Sequence, residues 1–200
     1  GGGPALIDFS GAGVTRGFHS TSCNLVLQDL HFLGGPSGLE LLQGDATGQP
    51  GCTLDGILFE DHSLFGLKVT GTQPNAIGRL IVSDCEFRNV SNAIEFDETA
   101  ANRITIFEAH EVRITGADTG VELAVGTGGN ARFTFDRVVI ESSSVGIQLV
   151  APATNGRPLL IEGDHTRVRA PVCARFDGAN DAGTWMQCGM WNLLAPVGGI

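Results

Sequence analysis

Hydrophobic and polar residues alternate with a period of two in short runs along most of the chain, which is the pattern of β-strands. A run that reads apolar, any, apolar is followed by polar residues, a bulky apolar residue and a small residue that opens a second alternating run. This block recurs six times, and no stretch of ten or more residues has the helical period of 3.6. Repetition of one short unit predicts a solenoid.

The first run of each block is the marker from which we measure the period. It appears as Leu25-Val26-Leu27, Cys52-Thr53-Leu54, Leu80-Ile81-Val82, Ile104-Thr105-Ile106, Phe133-Thr134-Phe135 and Leu159-Leu160-Ile161. The last residue of each run gives steps of 27, 28, 24, 29 and 26 residues. Such variation indicates strands that stay in register while the turns absorb insertions, as at 44–51, 70–76 and 151–157.

The second run of each block predicts two columns of inward side chains. Successive strands of a solenoid stack about 4.8 Å apart, so equivalent apolar residues lie above one another in the core. The expected columns are Leu39, Leu67, Ile94, Val121 and Ile147, and beside them Leu41, Val69, Phe96, Leu123 and Leu149. The glycine or alanine before each pair is expected where the chain bends tightly into the strand.

These patterns predict one all-β domain over residues 1–200, a right-handed parallel β-helix of about seven coils. Leucine-rich and hexapeptide solenoids have shorter, more regular repeats, and a β-sandwich would need hairpin turns between the runs. Residues 176–200 are expected to form a terminal coil or cap, in which Trp185 and Trp191, with Met186 and Met190, cover the open end or face a partner subunit. The chain opens with Gly-Gly-Gly-Pro, so we expect it to be part of a longer chain.

Composition restricts the partners and the compartment. A net charge of −10 repels nucleic acids and anionic membranes, so neither is an expected partner. The given sequence contains no apolar run of membrane-spanning length and no basic start followed by an apolar stretch, the pattern expected of a signal peptide. The five cysteines, an odd number without a CxxC motif, are predicted to be buried reduced thiols, which suits folding in a cytoplasm. They are Cys23, Cys52, Cys85, Cys173 and Cys188.

The segment 80–90, followed by Ala93-Ile94-Glu95-Phe96, resembles the coils of the pectate-lyase-like β-helix superfamily, and this resemblance extends over about residues 7–176. That coil serves polysaccharide lyases, glycoside hydrolases, epimerases, bacteriophage tailspikes and adhesive shafts. The chain is most similar to tailspike and tail-fibre helices, which lack a signal peptide and keep their cysteines reduced. The resemblance implies a homotrimer on a virion tail that binds a bacterial surface polysaccharide, with depolymerisation as an additional activity.

Two other functions are alternatives to the tailspike interpretation. One is a free-standing, secreted carbohydrate-active enzyme, either a polysaccharide lyase, a glycoside hydrolase or an epimerase. The other is a purely architectural shaft.

Acidic residues occupy part of an outward row that reads Glu40, Lys68, Glu95, Glu122, Gln148 and Arg175. Glu95 and Glu122 are expected about 5 Å apart on adjacent strands, with Asp97 two residues further along. Like charges this close raise one pKa, so that one carboxyl can donate a proton while its neighbour stays ionised. Glu95, Asp97 and Glu122 are therefore the predicted catalytic residues, and a solvated charged face is the alternative.

His31, His62, His110 and His165 each follow an acid by one or two residues, a pattern that also occurs in metal and general-base sites. Whole coils separate them, whereas a metal site needs two or three converging ligands. We therefore expect solvated or capping histidines, no metal site and no cofactor.

Overall fold

The computed structural model describes residues 3–11, 17–21, 24–43, 51–71, 77–98, 104–126, 130–150, 159–177, 184–188 and 191–194. Over these residues the chain is all-β, and its parallel strands stack as a β-solenoid. The predicted fold class is confirmed. In this part of the chain there is no helix of the length and apolarity that crossing a membrane requires.

Twenty strands build the described part of the solenoid. They are β1 (Ala5–Asp8), β2 (Phe18–Ser20), β3 (Asn24–Gln28), β4 (Leu30–Leu33), β5 (Ser37–Gln43), β6 (Gly51–Asp55), β7 (Leu58–Glu60), β8 (Phe65–Gly71), β9 (Ile77–Ser83), β10 (Glu86–Arg88), β11 (Asn92–Glu98), β12 (Ile104–His110), β13 (Arg113–Val125), β14 (Asn130–Asp136), β15 (Val139–Val150), β16 (Leu159–Asp164), β17 (Thr166–Arg169), β18 (Val172–Asp177), β19 (Thr184–Cys188) and β20 (Trp191–Leu194).

The strands form three stacks, which we call faces I, II and III. Face I is the seven-stranded sheet β3-β6-β9-β12-β14-β16-β19. Face II contains β1, β4, β7, β10, β17, β20 and the first halves of β13 and β15, and face III contains β2, β5, β8, β11, β18 and their second halves. Each coil runs through faces I, II and III in that order.

The inward columns predicted for face III are confirmed. In the first column Leu39 pairs with Leu67, and the register continues through Ile94, Val121 and Ile147. All ten residues of the two columns are buried, with at most 2% of their surface exposed. Close packing also explains the small residues, since a Cβ on Gly120 would lie 2.5 Å from the carbonyl oxygen of Gly146.

The register of face I shows that one marker run was placed on the wrong side of its strand. As a marker run, Ile104 and Ile106 are equivalent to Cys52 and Leu54, which are buried, but the buried side chains of β12 are Thr105, Phe107 and Ala109. The prediction failed because the outward residues of this strand are also isoleucines, so hydrophobicity does not distinguish its two sides.

The corrected register makes the coil length more regular. Ala109, not Ile106, pairs with Val82 and with Phe135. From Leu27 the steps become 27, 28, 27 and 26 residues, so the steps of 24 and 29 came from the misplaced marker. The marker in β16 was also displaced, by two residues, because Ile161 pairs with Phe133.

A column of phenylalanine rings fills the core behind face II. Phe9, Phe32, Phe59 and Phe87 stack with interplanar angles of 5°, 12° and 9° and centroid separations of 6.1, 5.3 and 4.7 Å. Offset stacking of this kind adds about 0.5–1.5 kcal/mol per ring pair to the burial of the rings. The column therefore fixes the register of the short strands β4, β7 and β10.

The corner between faces I and II has the same backbone form in successive coils. One residue, with φ between 49° and 64°, turns the chain at Asp29, Gly56, Asp84, Glu111, Arg137 and His165. L-residues rarely adopt this conformation, but here the N–H donates to the next coil, as from Asp29 to the carbonyl oxygen of Asp55 at 3.0 Å. Only one or two residues separate the strands at this corner.

The corner between faces III and I varies in length. Between the strand ends there are three to eight residues, as between β2 and β3 or between β15 and β16. The expected insertions at 44–51, 70–76 and 151–157 fall largely at this corner, so the solenoid accommodates length changes on one edge.

The cysteines that the structure describes form no disulfide. Cys52 and Cys85 are buried, as predicted, and Cys173 is partly buried. Burial raises the pKa of the Cys85 thiol to about 12, so this residue behaves as a small hydrophobic side chain. Cys23, the side chain of Cys188 and the side chains of the proposed tryptophan cap lie outside the described residues.

Candidate functional site

Glu95, Asp97 and Glu122 lie on the outer side of face III, where the structure brings them together. Glu95 and Asp97 point outward from β11 because the alternate residues Ile94 and Phe96 are buried in the core. Glu122 occupies the equivalent position of β13, directly opposite Glu95 in the register. The expected adjacency of these carboxylates is therefore present.

Lys68 is the cation of this site. It precedes Glu95 in the same outward row, on β8, and its Nζ lies 2.6 Å from Glu95 Oε1 and 3.8 Å from Asp97 Oδ2. Burial alone would lower the pKa of Lys68, but the hydrogen bond and the charge of Glu95 outweigh burial, and the pKa is raised. Lys68 therefore stays charged, and its Nζ also lies 5.5 Å from the centre of the Phe65 ring.

Asn92 links the two glutamates. Its Nδ2 donates to Glu95 Oε2 at 3.1 Å and to Glu122 Oε2 at 3.3 Å. Because one nitrogen atom contacts both carboxylates, Glu95 Oε2 and Glu122 Oε2 must lie close to each other. We call Lys68, Asn92, Glu95, Asp97 and Glu122 the carboxylate site.

The environment of Glu122 favours its protonated form. Burial is the largest cause that raises its pKa, and the negative charge of Glu95 raises it further, whereas Lys68 lowers it. Glu95 has a different environment, because it accepts hydrogen bonds from both Lys68 and Asn92. Neighbouring carboxyls with unequal environments can divide the roles of proton donor and ionised partner between them.

Asn92 was missed by the sequence analysis, because strict alternation places residues three apart on opposite sides of a strand. In β11 the alternation is broken, since Ala93 and Ile94 are both buried. Asn92 therefore faces outward together with Glu95. The sequence signal for the outward position of Asn92 is the pair of consecutive apolar residues, Ala93 and Ile94, that directly follows it.

The outward row of face III continues on both sides of the carboxylate site. Towards the first coil, His19 lies 3.2 Å from Glu40. Towards the last described coil, Gln148 donates to Asp177 at 2.8 Å, and Arg175 forms an ion pair with the same carboxylate at 2.8 Å. The outward row that contains Glu95 is thus polar along the solenoid axis over its described length.

Two grooves lined by described residues lie on face I, away from the carboxylate site. They have volumes of about 390 and 400 Å³, and Ile104, Ile106 and Arg132 line both. The carboxylate site lies instead on an open strand surface, which an extended polymer can reach along its length.

The predicted histidines have separate environments. His31 lies 3.0 Å from Glu60, and His110 lies 3.6 Å from Asp136. His62 is an exception to the expected solvated histidine, because it is buried and its Nε2 lies 3.2 Å from the carbonyl oxygen of Phe32. Burial lowers the pKa of His62 and so favours its neutral form.

His165 belongs to the only group of possible metal ligands found among the described residues, together with Asp136 and Asp164. Their ligand atoms lie within 4.8 Å of one another. Existing ion pairs hold these side chains, since His165 lies 3.0 Å from Asp164 and Arg137 lies 3.4 Å from Asp136. We assign no metal to this exposed corner.

Comparisons with known proteins give no relative for this chain. It matches no protein-family model, no curated protein and no solved structure. Function is therefore inferred from the solenoid and from the chemistry of its faces.

Proposed function

We propose that this solenoid is a tailspike- or tail-fibre-type domain that binds a bacterial surface polysaccharide on face III and cleaves it at Glu95 and Glu122. The observation that carries the proposal is the in-register carboxyl pair, in which Lys68 balances Glu95 while the pKa of Glu122 is raised. Resemblance of the coils to the pectate-lyase-like superfamily supports a glycan as the substrate.

The chemistry assigns a role to each member of the site. Protonated Glu122 donates its proton to the glycosidic oxygen as the bond to the anomeric carbon breaks, and the Glu95 carboxylate attacks that carbon. Glu122, now ionised, removes a proton from water, which displaces Glu95 and releases the sugar. Asn92 positions both carboxyls, and Lys68, shared with Asp97, forms an ion pair with the Glu95 carboxylate.

The separation of the carboxyls favours retention of configuration at the anomeric carbon. Retaining glycosidases place their carboxyl groups about 5–5.5 Å apart, whereas inverting enzymes need about 6.5–9.5 Å to admit a water molecule. Glu95 and Glu122 are register partners on adjacent strands, which lie about 4.8 Å apart, and this spacing suits the shorter separation.

The test is the release of reducing ends or unsaturated products from a panel of bacterial surface polysaccharides. Glu95→Gln and Glu122→Gln preserve shape and remove the charge, and each should lower turnover at least about a hundredfold. The activity of the parent should depend on pH with two macroscopic pKa values that belong to the carboxyl pair.

Glu108→Gln is the matched control, because Glu108 is paired with Arg79 on face I and lies outside the site. It should leave turnover unchanged. Cleavage that survives both site substitutions would refute the assigned residues. A parent that binds cells and releases no product would instead support the architectural or purely adhesive role.

The proposed assembly is a homotrimer in a virion tail, folded in the host cytoplasm. Resemblance to tailspikes supports this assignment, and the buried thiols of Cys52 and Cys85 are compatible with a reducing compartment. A secreted, free-standing carbohydrate-active enzyme is the competing assignment.

A further inference from the structure

The basic side chains of the described residues divide into two groups. Ion pairs engage Lys68, Arg79, Arg88, Arg132, Arg137 and Arg175. By contrast, Arg113, Arg167 and Arg169 form no ion pair with any part of the chain that the structure describes. All three lie on the outer side of face II, which we call the arginine surface.

The register places these three arginines close together. Arg113 pairs with Val139, and Val139 pairs with Arg167 on the next strand. The backbones of Arg113 and Arg167 are therefore separated by two strand spacings, about 10 Å. Arg169 is two residues beyond Arg167 on β17, at a distance of about 7 Å from it. The guanidinium groups are exposed, because the alternate residues of these strands face the core.

The acidic groups around the arginine surface leave it positive. Glu86 is the register neighbour of Arg113, but Arg88 Nη2 already binds it at 2.5 Å. Glu141 pairs with Arg169 in the register and has no ion pair among the described residues. With the paired groups included, these two outward rows contain four arginines (Arg88, Arg113, Arg167 and Arg169) and three glutamates (Glu60, Glu86 and Glu141), a local excess of positive charge on a chain whose net charge is −10.

We propose that the arginine surface binds a linear glycan that carries a carboxylate on alternate sugars. Guanidinium groups bind carboxylates through two parallel hydrogen bonds. The interval of about 10 Å between Arg113 and Arg167, twice the strand spacing, matches one charge for every two sugars of an extended chain running along the solenoid axis. This inference rests on the proposed function in taking a glycan as the ligand, but it concerns a surface separate from the carboxylate site.

Charge density favours a glycan over a nucleic acid. A nucleic acid strand carries one phosphate about every 3.4 Å along the axis of a duplex, and its affinity comes from several closely spaced contacts. The arginine surface offers charges further apart, with Glu141 between Thr115 and Arg169 in the same outward row. A polymer with widely spaced negative charges can place them on the arginines without bringing a charge next to Glu141 or the surrounding acidic surface.

The test compares binding of hyaluronate, which has a carboxylate on alternate sugars, with binding of neutral dextran. The parent should bind hyaluronate and not dextran, and added salt should weaken the binding. The triple variant Arg113→Gln/Arg167→Gln/Arg169→Gln should lose at least about tenfold in affinity, because each lost charge-assisted contact corresponds to roughly that factor.

The double variant Arg79→Gln/Arg132→Gln is the control for loss of positive charge, because these arginines are paired on face I. It should bind as the parent does. Equal weakening in both variants, or absence of hyaluronate binding by the parent, would overturn the proposal. Tighter binding of single-stranded DNA than of hyaluronate at equal charge concentration would replace the glycan with a nucleic acid.

A third variant separates this proposal from the proposed catalytic function. Glu122→Gln leaves the arginine surface intact, so it should retain hyaluronate binding whether or not the carboxylate site cleaves any glycan. If binding disappears in Glu122→Gln while its circular dichroism spectrum is unchanged, the arginine surface is not the binding site.

Discussion

Glu95 and Glu122 occupy equivalent positions on neighbouring strands, and their partners make them different. Lys68 lies 2.6 Å from Glu95, whereas Glu122 has the Asn92 amide at 3.3 Å. The charge of Glu95 acts on Glu122 in addition to the effect of burial. A single lysine on the adjacent coil thus distinguishes two residues that the repeat alone would make identical.

This difference predicts opposite effects of two isosteric substitutions on stability. The folded pKa of Glu122 is above its unfolded value, so ionised Glu122 destabilises the fold at neutral pH. Glu122→Gln should therefore raise the melting temperature at pH 7. Glu95→Gln should lower it, because Lys68 loses its closest carboxylate.

Thermal unfolding measured between pH 7 and pH 4 checks the sign. The penalty at Glu122 is lost as the pH falls through the folded pKa, and it is absent below the unfolded value of about 4.3. The advantage of Glu122→Gln should shrink over the same range. An advantage that stays constant down to pH 4 would contradict the raised pKa.

At the level of the strand, β12 provides the sharpest test of the register. Phe107 is fully buried and lies 4.9 Å, centre to centre, from the ring of Phe96, whereas Ile106 faces outward into the face I grooves. Phe107→Ala should cost about 3–5 kcal/mol of unfolding free energy. Ile106→Ala should cost at most about 1 kcal/mol, as surface substitutions do.

Urea unfolding of the two variants at one pH gives this comparison. Both changes truncate a large apolar side chain to alanine, so Ile106→Ala is the internal control for loss of hydrophobicity. If Ile106→Ala were the more destabilising variant, the strand would have the register that the hydrophobic pattern predicts, with Ile106 in the core.

The sequence predicted the elements well wherever a strand has one apolar and one polar side. On face III the alternation of Leu39, Glu40 and Leu41 identifies the core positions, and the outward row follows directly from it. Periodicity failed at Ile106, where both sides of the strand are apolar, and at Asn92, where two buried residues interrupt the alternation. In both cases three-dimensional packing, and not local pattern, decides the direction of the side chain.

The sequence predicted the acidic residues of the candidate site, but it did not predict the contacts that Lys68 and Asn92 make with them. Register alone places Glu95 beside Glu122, since equivalent positions of successive coils must be adjacent. The 2.6 Å contact of Lys68 depends on a side-chain conformation that the sequence does not specify. The burial of His62 was likewise not apparent from the sequence. This residue lies in the turn between β7 and β8, where buried and exposed residues do not alternate as they do in a strand.

At the scale of the whole molecule, the proposed tailspike assignment predicts a homotrimer. Sedimentation equilibrium or light scattering of the 20.9 kDa chain should give about three times that mass. A monomer over the whole concentration range would contradict the tailspike assignment and favour a free-standing enzyme. The trimer should persist in 1 M salt if its interface is apolar, since salt screens only the charged contacts.

The two kinds of corner also make the solenoid an asymmetric scaffold for inserted peptides. Between faces I and II the corner is one or two residues long and is bound to the next coil through its N–H, so extra residues there would break the stacking. Between faces III and I the strand ends are separated by three to eight residues. Foreign loops grafted at successive coils of that edge would form one row, with neighbouring loops about 5 Å apart along the solenoid axis. Changes in these loops would leave the core undisturbed.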